Sequence, residues 1–419
     1  MKENINFFIK RLSDKLWFKP LIFCLLSIAG ALIAHLADDT FISDIVPEIE
    51  KGSLEDLLST ISSVMLVIAI FAVGSMLSAF SAASGSATPR SFELIVSDDV
   101  SQNALSVFIG SFIFSIVADI ALKNGFYGKA GYFILFILTI VVFVLVILTF
   151  LRWVERISKL GRLGHTIKKV ENATNNVLQK RIDQPLMGGI PVENRSIKGT
   201  PIFGHQIGYI QHINFGRLQE FAETADILIT LNCMPGTFTT PDKPLLYIVS
   251  GQKKSSNIDN EKLQKSFVID DKRSFHDDPR FGFIALSEIA SRALSPGIND
   301  PGTAIAIIGS HVRLFVQWLE KDGKENSKKI KYNRIEVPEI SLTDIFDDAF
   351  RPIARDGSSS IEVMLRLQKA FITIGSLGSS EAKKLALFHS LQAYERAELV
   401  IDHKRDLDVL RKECFFAIK

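Results

Sequence analysis

The chain has 419 residues, of which 47% are hydrophobic, and its 48 basic and 46 acidic residues give a formal charge of only +2. This length is typical of two or three folding units, and the small net charge argues against a nucleic-acid partner. The cysteines Cys24, Cys233 and Cys414 lie far apart without Cys-x-x-Cys spacing, so we expect no disulfide framework, no metal site and no cofactor.

Four apolar runs without a charged residue lie in the first part of the chain, at residues 20–37, 57–88, 100–118 and 130–151. A hydrocarbon core about 30 Å thick needs about 20 helical residues, because only a helix satisfies every backbone polar group inside lipid. The second run ends in small and hydroxylated residues, so we end that span near Ala82. The sequence therefore predicts a four-helix transmembrane domain over residues 1–151, with the lipid bilayer as a partner.

Basic residues flank the first and fourth runs, whereas the connection at 38–56 is rich in acids. Because Lys and Arg concentrate in the cytoplasmic segments beside membrane spans, we predict a multi-pass protein of the bacterial inner membrane with both termini in the cytoplasm. The basic residues are Lys2, Lys10, Arg11, Lys15, Lys19, Arg152, Arg156, Lys159, Arg162, Lys168 and Lys169.

The four apolar runs have two alternative interpretations. The first run could be a cleaved signal peptide, because "AHLA" ending at Ala37 resembles a cleavage site, but the run exceeds the usual apolar stretch of a signal. The four runs could also form the core of a water-soluble helical protein, but such closely spaced runs would leave too little polar surface. We therefore favour four retained membrane helices.

The segment after the fourth run changes from helical to strand-like patterning. Residues 152–179 keep helical spacing, which predicts that the fourth span continues as a helical stalk over residues 152–189. The stretches "QIGYIQHI", "DILITLNCM" and "KPLLYIVSG" are typical of strands, and "FGRLQEFAETA" is typical of a short helix. We predict a small β-barrel or sandwich over residues 190–251.

The remaining residues, 252–419, have mainly helical patterning. We expect a polar loop over 252–265, one helix with Phe283, Leu286 and Ile289 on its apolar face, and a second helix over 302–321. A polar joint at 322–331 precedes three or four amphipathic helices from about Ser341. The predicted fold class is thus an α-helical membrane protein with four transmembrane helices, followed by a cytoplasmic α+β region.

The stretch "SPGIND", residues 295–300, lies between these two helices and predicts a rigid elbow. Asp300 and Pro301 fit the N-cap and first position of the second helix, and an exposed helix N-terminus attracts anions. An ordinary structural turn is the alternative, because Pro, Gly, Asn and Asp are common turn residues. The candidate ligand-binding residues are Arg273, His276, Asp278, Arg280, Arg292, Asn299, Asp300 and Thr303.

Metal binding by His276, Asp277 and Asp278 is the weaker interpretation of this cluster, because adjacent residues rarely all face one metal centre. A second polar cluster lies between the second and third spans. Its groups could line an ion entrance, or form a solvated loop in which Asp99 caps the third span. The candidate pore-mouth residues are Ser84, Ser86, Thr88, Arg90, Asp98 and Asp99.

The stretches "FGFIALSEIASRALSPGINDPGTA" and "SAASGSATPRSFELIVSDDVSQNALSVFIGSFIFSIV" resemble the bacterial predicted membrane proteins of domain of unknown function 2254. The resemblance covers most of the chain and implies four spans followed by a cytoplasmic part. Where the family pattern leads us to expect Ser-Pro-Arg, this chain has Thr88, Pro89 and Arg90, which retains the hydroxyl and the charge. The resemblance implies no reaction.

The sequence contains no P-loop, no Gly-x-Ser-x-Gly elbow and no His-Glu-x-x-His pair, so we expect no enzyme. Our leading hypothesis is an oligomeric channel or transporter with a cytoplasmic gating or assembly domain, because four helices alone make a thin conduit and several copies would surround an axis. The alternative is a membrane-anchored sensor or binding module that recognises a small anionic ligand. Homo-oligomerisation and a small ion or anion are the expected partners.

Overall fold

The computed structural model describes residues 15, 17–36, 38, 46–86, 88–96, 99–192, 199–250, 259–319 and 330–417. The chain divides into two compact units, residues 5–166 and the residues from Ile167 onward. We call the described residues of the first the membrane unit and those of the second the C-terminal unit.

The membrane unit consists of helices that follow the predicted spans. Four of its helices are long and apolar enough to cross a membrane. Their outward faces expose large apolar side chains such as Leu26, Ile70 and Leu151, each about 60% or more exposed, as expected for surfaces that face lipid. The helices are α1 (Phe18–Leu36), α2 (Lys51–Ser86), α3 (Pro89–Val96), α4 (Asp99–Lys123) and α5 (Lys129–Ile157).

Helix α4 is the most buried of the four long helices and packs against α1, α2 and α5. Small residues permit this close packing. A side chain on Gly110 would begin 3.1 Å from the Cβ of Phe23 on α1, and Ala104 and Ala118 of α4 are fully buried. The small residues of α4 thus explain how it can lie against three other helices.

Polar contacts join the helices at their ends. Lys19 Nζ on α1 lies 2.5 Å from Asp99 Oδ1 at the start of α4. The Asp38 carboxylate accepts hydrogen bonds from the backbone N–H groups of Gly128 (2.6 Å) and Gly131 (2.7 Å) at the start of α5. The start of α1 thus meets the start of α4, and the chain just after α1 meets the start of α5, as expected if successive spans alternate in direction.

The connection between the second and third spans differs from the predicted solvated loop, because it contains helix α3. Thr88 precedes the helix and is buried, and its backbone N–H donates to Ser91 Oγ at 3.2 Å. Phe92 and Ile95 of α3 pack with Phe80 of α2. The apolar residues of "SFELIV" have helical spacing, which explains why this segment folds back against α2.

The predicted continuous stalk is wrong, because α5 ends at Ile157 and a new helix, α6 (Leu163–Asp183), begins after a turn. Gly161 in that turn has φ +86°, a conformation that favours glycine. A Cβ at this position would also lie 3.2 Å from the carbonyl oxygen of Ala79. Helical spacing on both sides of the turn concealed this break in the sequence.

The C-terminal unit contains eight strands among its described residues. A five-stranded sheet has the order β1-β8-β4-β6-β2 and a three-stranded sheet the order β5-β3-β7. The described strands form no closed barrel, so the predicted barrel or sandwich is not confirmed. The strands are β1 (Ile190–Pro191), β2 (Thr200–Phe203), β3 (Gly208–Ile213), β4 (Ile227–Leu231), β5 (Phe238–Thr239), β6 (Pro244–Ser250), β7 (Phe267–Asp270) and β8 (Ile335–Val337).

Strand β4 shows how the sheet arises from the predicted pattern. It pairs antiparallel with β6 and parallel with β8, and its Ile227, Ile229 and Leu231 are buried. Strands β7 and β8 come from outside the predicted β segment at 190–251. The sheets therefore combine residues that are far apart in sequence, and the core between β4, β6 and helix α7 (Phe215–Ala225) is continuous.

The helices between residues 279 and 377 pack around an aromatic core formed by Phe283, Phe315, Phe346, Phe350 and Phe371. The predicted polar loop at 252–265 contains a short helix, α8, capped by Asp259, and its residues 252–258 lie outside the described residues. The helices are α7 (Phe215–Ala225), α8 (Asn260–Gln264), α9 (Pro279–Ala293), α10 (Pro301–Leu319), α11 (Leu342–Asp356), α12 (Ile361–Leu377), α13 (Ser380–Glu398) and α14 (Lys404–Lys412).

Candidate functional site

The predicted elbow between α9 and α10 is present, and its aspartate is bound by its own helix. Asp300 accepts hydrogen bonds from the backbone N–H of Thr303 (3.0 Å) and from Thr303 Oγ1 (2.6 Å). These bonds hold the pKa of the Asp300 carboxyl below its ordinary value. Asn299 has φ +48°, and the Asp300 N–H donates to the carbonyl of Ala293 at 2.8 Å. The geometry is that of a capped turn, and ligand binding here stays a prediction.

The basic and acidic candidates at the other end of α9 bind one another. Arg273 donates to both oxygens of Asp278, at 2.6 and 3.0 Å, and Asp278 also caps α9 through the N–H of Phe281. Arg280 donates to Asp344 and to Asp348 of α11. These arginines and aspartates therefore satisfy much of each other's charge.

The length of α9 separates the two groups of candidates. The helix has 15 residues, and at about 1.5 Å per residue its ends are about 20 Å apart. Arg273, Asp278 and Arg280 lie at its first end, whereas Arg292 lies in its last turn beside the elbow. The structure therefore does not bring the predicted residues together as one anion clamp.

The predicted pore-mouth residues occupy different environments. Ser84 and Arg90 are exposed, Thr88 is buried at the start of α3, and Asp99 pairs with Lys19. Asp98 and the side chain of Ser86 lie outside the described residues. The channel hypothesis and the homo-oligomer both stay predictions.

A cavity of about 230 Å³ lies elsewhere in the C-terminal unit, between the end of α6, strand β3, the start of α7 and residues 331–332. We call it the Arg181 cavity. Its apolar wall includes Val177, Ile213 and Phe215. The chargeable groups that line it are Lys180, Arg181, His212, Asp277, Lys331 and Tyr332.

Arg181 is the least expected residue of this lining. It is only 7% exposed, and its Nη1 has no hydrogen-bond partner among the residues that the structure describes. Burial lowers the pKa of the guanidinium to about 10, and the nearby charges of Asp277 and Asp278 oppose that shift only in part. The fold thus keeps a desolvated cation beside a cavity.

Asp277 supplies the negative charge of the cavity. Its Oδ2 lies 2.7 Å from His212 Nδ1, and its Oδ1 lies 3.8 Å from Lys180 Nζ. Burial raises the pKa of the Asp277 carboxyl, but His212, Lys180 and Arg181 together bring it below the ordinary value. Asp277 is therefore ionised at neutral pH and offsets only one of the lining cations.

Metal binding finds no support in the described parts of the chain, which contain no group of three or more His, Cys, Asp or Glu side chains able to hold an ion. The three residues of the alternative metal site, His276, Asp277 and Asp278, have other contacts in the structure. Asp277 contacts His212, Asp278 contacts Arg273, and the backbone carbonyl of His276 accepts a hydrogen bond from Lys180 Nζ at 3.3 Å. The three neighbours face different partners.

Comparison with known proteins gives one match. A family model described as Predicted membrane protein (DUF2254) matches residues 13–373. The chain belongs to this family. No curated protein and no solved structure matches it. The matched DUF2254 region contains the four apolar helices, the elbow and every residue that lines the Arg181 cavity.

Four residues that line the Arg181 cavity of this DUF2254 chain were not predicted as site residues, namely Lys180, Arg181, His212 and Lys331. A signal for Arg181 was present in α6, whose buried face includes Val170, Thr174 and Val177. Arg181 follows at the same helical spacing, at a position where an apolar residue is expected. His212 and Lys331 join Arg181 only through tertiary packing, so no local pattern indicated them.

Proposed function

We propose that this membrane protein binds a small anionic ligand in the Arg181 cavity, and that its apolar helices hold the binding module at the membrane. The observation that carries the proposal is the buried Arg181 guanidinium, whose Nη1 lacks a partner among the described residues and which lines an open cavity. The proposal corresponds to the alternative hypothesis drawn from the sequence rather than to the leading one.

The energetic argument concerns the cost of a desolvated charge. A buried cation that lacks full hydrogen bonding costs several kcal/mol relative to the same group in water, and an unsatisfied donor costs about 1–3 kcal/mol. An anion in the cavity would neutralise the charge of the guanidinium. Arg181 is therefore a group whose free energy a ligand can lower substantially.

The surroundings of Arg181 favour anions over cations. Lys180 and Arg181 line the cavity together with one carboxylate, that of Asp277, so these three groups carry an excess of positive charge. The apolar wall lowers the local dielectric constant, which strengthens each charge interaction relative to water. A cation would instead meet the two like charges of Lys180 and Arg181.

The proposal is tested on the full-length protein purified in detergent. Thermal unfolding is followed while chloride, acetate, sulfate and phosphate are added at constant ionic strength, below about 20 mM so that general salt effects on stability stay small. A ligand at 100 times its dissociation constant should stabilise the protein by about 2.7 kcal/mol. Arg181→Met should abolish this response.

Arg405→Met is the matched control, because Arg405 is an exposed residue of α14 and does not line the cavity. It removes the same charge and should leave the anion response intact. Equal responses in the wild type and in Arg181→Met, or no response to any of the four anions, would refute the proposal.

A further inference from the structure

We infer that Asp277 lowers the affinity of the Arg181 cavity for anions, and lowers it more for dianions than for monoanions. The inference rests on the anion-binding function proposed above and adds the residue that sets the selectivity of that site. Among the described residues that line the cavity, Asp277 has the only carboxylate. A bound anion therefore shares the lining with one negative side chain, and the charge of that side chain opposes its binding.

The carboxylate of Asp277 is held in place by contacts on both of its oxygens. Oδ2 lies 2.7 Å from His212 Nδ1, and the imidazole N–H is the donor because the carboxylate is ionised. Oδ1 lies 3.8 Å from Lys180 Nζ, and the Asp277 side chain is only 19% exposed. Rotation of the carboxylate into solvent would break both contacts, so its charge stays beside the cavity when a ligand binds.

Asp277 acts on Arg181 through its charge rather than through a hydrogen bond, since its contacts in the described structure are with His212 and Lys180. Burial lowers the pKa of the Arg181 guanidinium to about 10, and the charge of Asp277 opposes that shift. An anion that binds beside the guanidinium lies in the same field and is repelled by it. Asp277 thus stabilises the empty cavity and disfavours the occupied one.

The repulsion grows with the charge of the ligand. The Coulomb energy of two groups is proportional to the product of their charges, so Asp277 repels a dianion twice as strongly as a monoanion at the same position. The apolar wall formed by Val177, Ile213 and Phe215 limits the screening of this repulsion by water. The other lining residues attract the ligand equally with and without this carboxylate, so the ratio does not depend on their charges.

The test is a calorimetric titration of the full-length protein in detergent with sulfate and with methanesulfonate, at pH 7.5 and constant ionic strength. The two anions have similar size and shape and are fully ionised at this pH, but sulfate is a dianion and methanesulfonate a monoanion. Asp277→Asn should tighten methanesulfonate binding about threefold and sulfate binding about tenfold, because doubling the repulsive energy squares the factor.

Two further variants separate the local charge from other effects. Asp183→Asn is the matched control, because Asp183 is exposed, lies two residues after Arg181 on α6 and does not line the cavity. Solvent and salt screen its charge, so each affinity should change less than about twofold. Asp277→Ala removes the same charge as Asp277→Asn without adding an amide donor, and it should give the same ratio between the two anions.

The outcomes distinguish this inference from the proposed function. If the wild type binds both anions, Arg181→Met binds neither and Asp277→Asn binds them as the wild type does, the role of Asp277 is wrong and anion binding stands. Equal tightening of sulfate and methanesulfonate would also contradict discrimination by charge. If neither the wild type nor Asp277→Asn binds either anion, both proposals fail.

Discussion

Helix α6 carries two buried charges on its inner face, and the fold treats them in opposite ways. Glu171 accepts hydrogen bonds from Arg313 Nε (2.7 Å), Arg313 Nη2 (2.8 Å) and Ser310 Oγ (2.9 Å). Arg181, about 15 Å further along the helix, keeps an Nη1 without a partner among the described residues. The charge of Glu171 is thus fully hydrogen-bonded within the chain, whereas that of Arg181 is only partly so.

The two pKa values express this difference. Burial raises the pKa of the Glu171 carboxyl, but hydrogen bonds from Arg313 and Ser310 outweigh it and lower the pKa to about 2. Burial lowers the pKa of Arg181 to about 10, and its neighbours fail to compensate. The surroundings thus stabilise the charge of Glu171 and destabilise that of Arg181. This comparison teaches that burial of a charge does not by itself indicate a site, whereas burial without a partner beside a cavity does.

The largest expected effect comes from removing the satisfied charge. Glu171→Leu should lower the free energy of unfolding of the C-terminal unit by about 3 kcal/mol, because it removes a buried carboxylate that accepts hydrogen bonds from the Ser310 hydroxyl and from the partly exposed Arg313 guanidinium. Chemical denaturation followed by far-ultraviolet circular dichroism measures this change.

The partly exposed ion pair of Arg334 and Asp226 provides the control, since Asp226→Asn should lower the free energy of unfolding by less than about 1 kcal/mol. A loss no larger than that of the control would remove the contrast between the two ends of α6.

The second effect is a pH dependence near the Glu171 end. Burial lowers the pKa of His311 to about 3, and the charge of Glu171 opposes the shift only in part. The unfolded chain takes up a proton at His311 below about pH 6.5, whereas the folded protein does not. Stability should therefore fall as the pH decreases from 6.5 toward 3, by about 2 kcal/mol between pH 6.5 and pH 5.

Denaturation of the wild type and of His311→Phe at several pH values measures this contribution. The phenylalanine keeps a ring against Phe283, which stacks on His311 with centroids 5.5 Å apart. The variant should lose part of the pH dependence in this range, although His389, whose pKa burial lowers to about 4, retains its own share. Identical slopes in the two proteins would show that His311 does not titrate differently on unfolding.

The smallest expected effect comes from removing the unsatisfied charge. Arg181→Met should lower the free energy of unfolding in anion-free buffer by no more than about 1 kcal/mol, because an apolar side chain of similar length replaces a poorly compensated buried cation. The same denaturation measurement applies. If Arg181→Met lowered the free energy of unfolding as much as Glu171→Leu does, Arg181 would be a residue that stabilises the fold, and the contrast with Glu171 would be wrong.

Much of the architecture could be predicted from the sequence, because most helices and strands show the hydrophobic periodicity typical of their type. The membrane helices were evident from length and apolar composition, and α7, α9 and α10 from helical spacing and caps. Strand β8 was not, since three residues, Ile335–Val337, are too few to show alternation and gain their role only by pairing with β4. The break at Gly161 was missed because helical spacing resumes directly after it.

The candidate site was less predictable than the fold. The elbow was correctly read as a turn capped by Asp300, but sequence proximity wrongly suggested that it shares a cluster with Arg273 and Arg280, which lie at the other end of α9. Arg181 breaks the apolar face of α6 and could have been noticed. His212 and Asp277, which line the same cavity and contact each other, are 65 residues apart in the chain, so only the folded structure unites them.

The contacts at the two ends of α1 have a mechanical consequence. This helix is the least buried of the four apolar helices, yet Lys19 at its first turn binds Asp99 and Asp38 just beyond its last turn binds the start of α5. A slide of α1 by one helical turn, about 5.4 Å, would break both attachments together. An exposed apolar surface therefore coexists with a fixed axial position, because α1 is held by polar contacts at both of its ends.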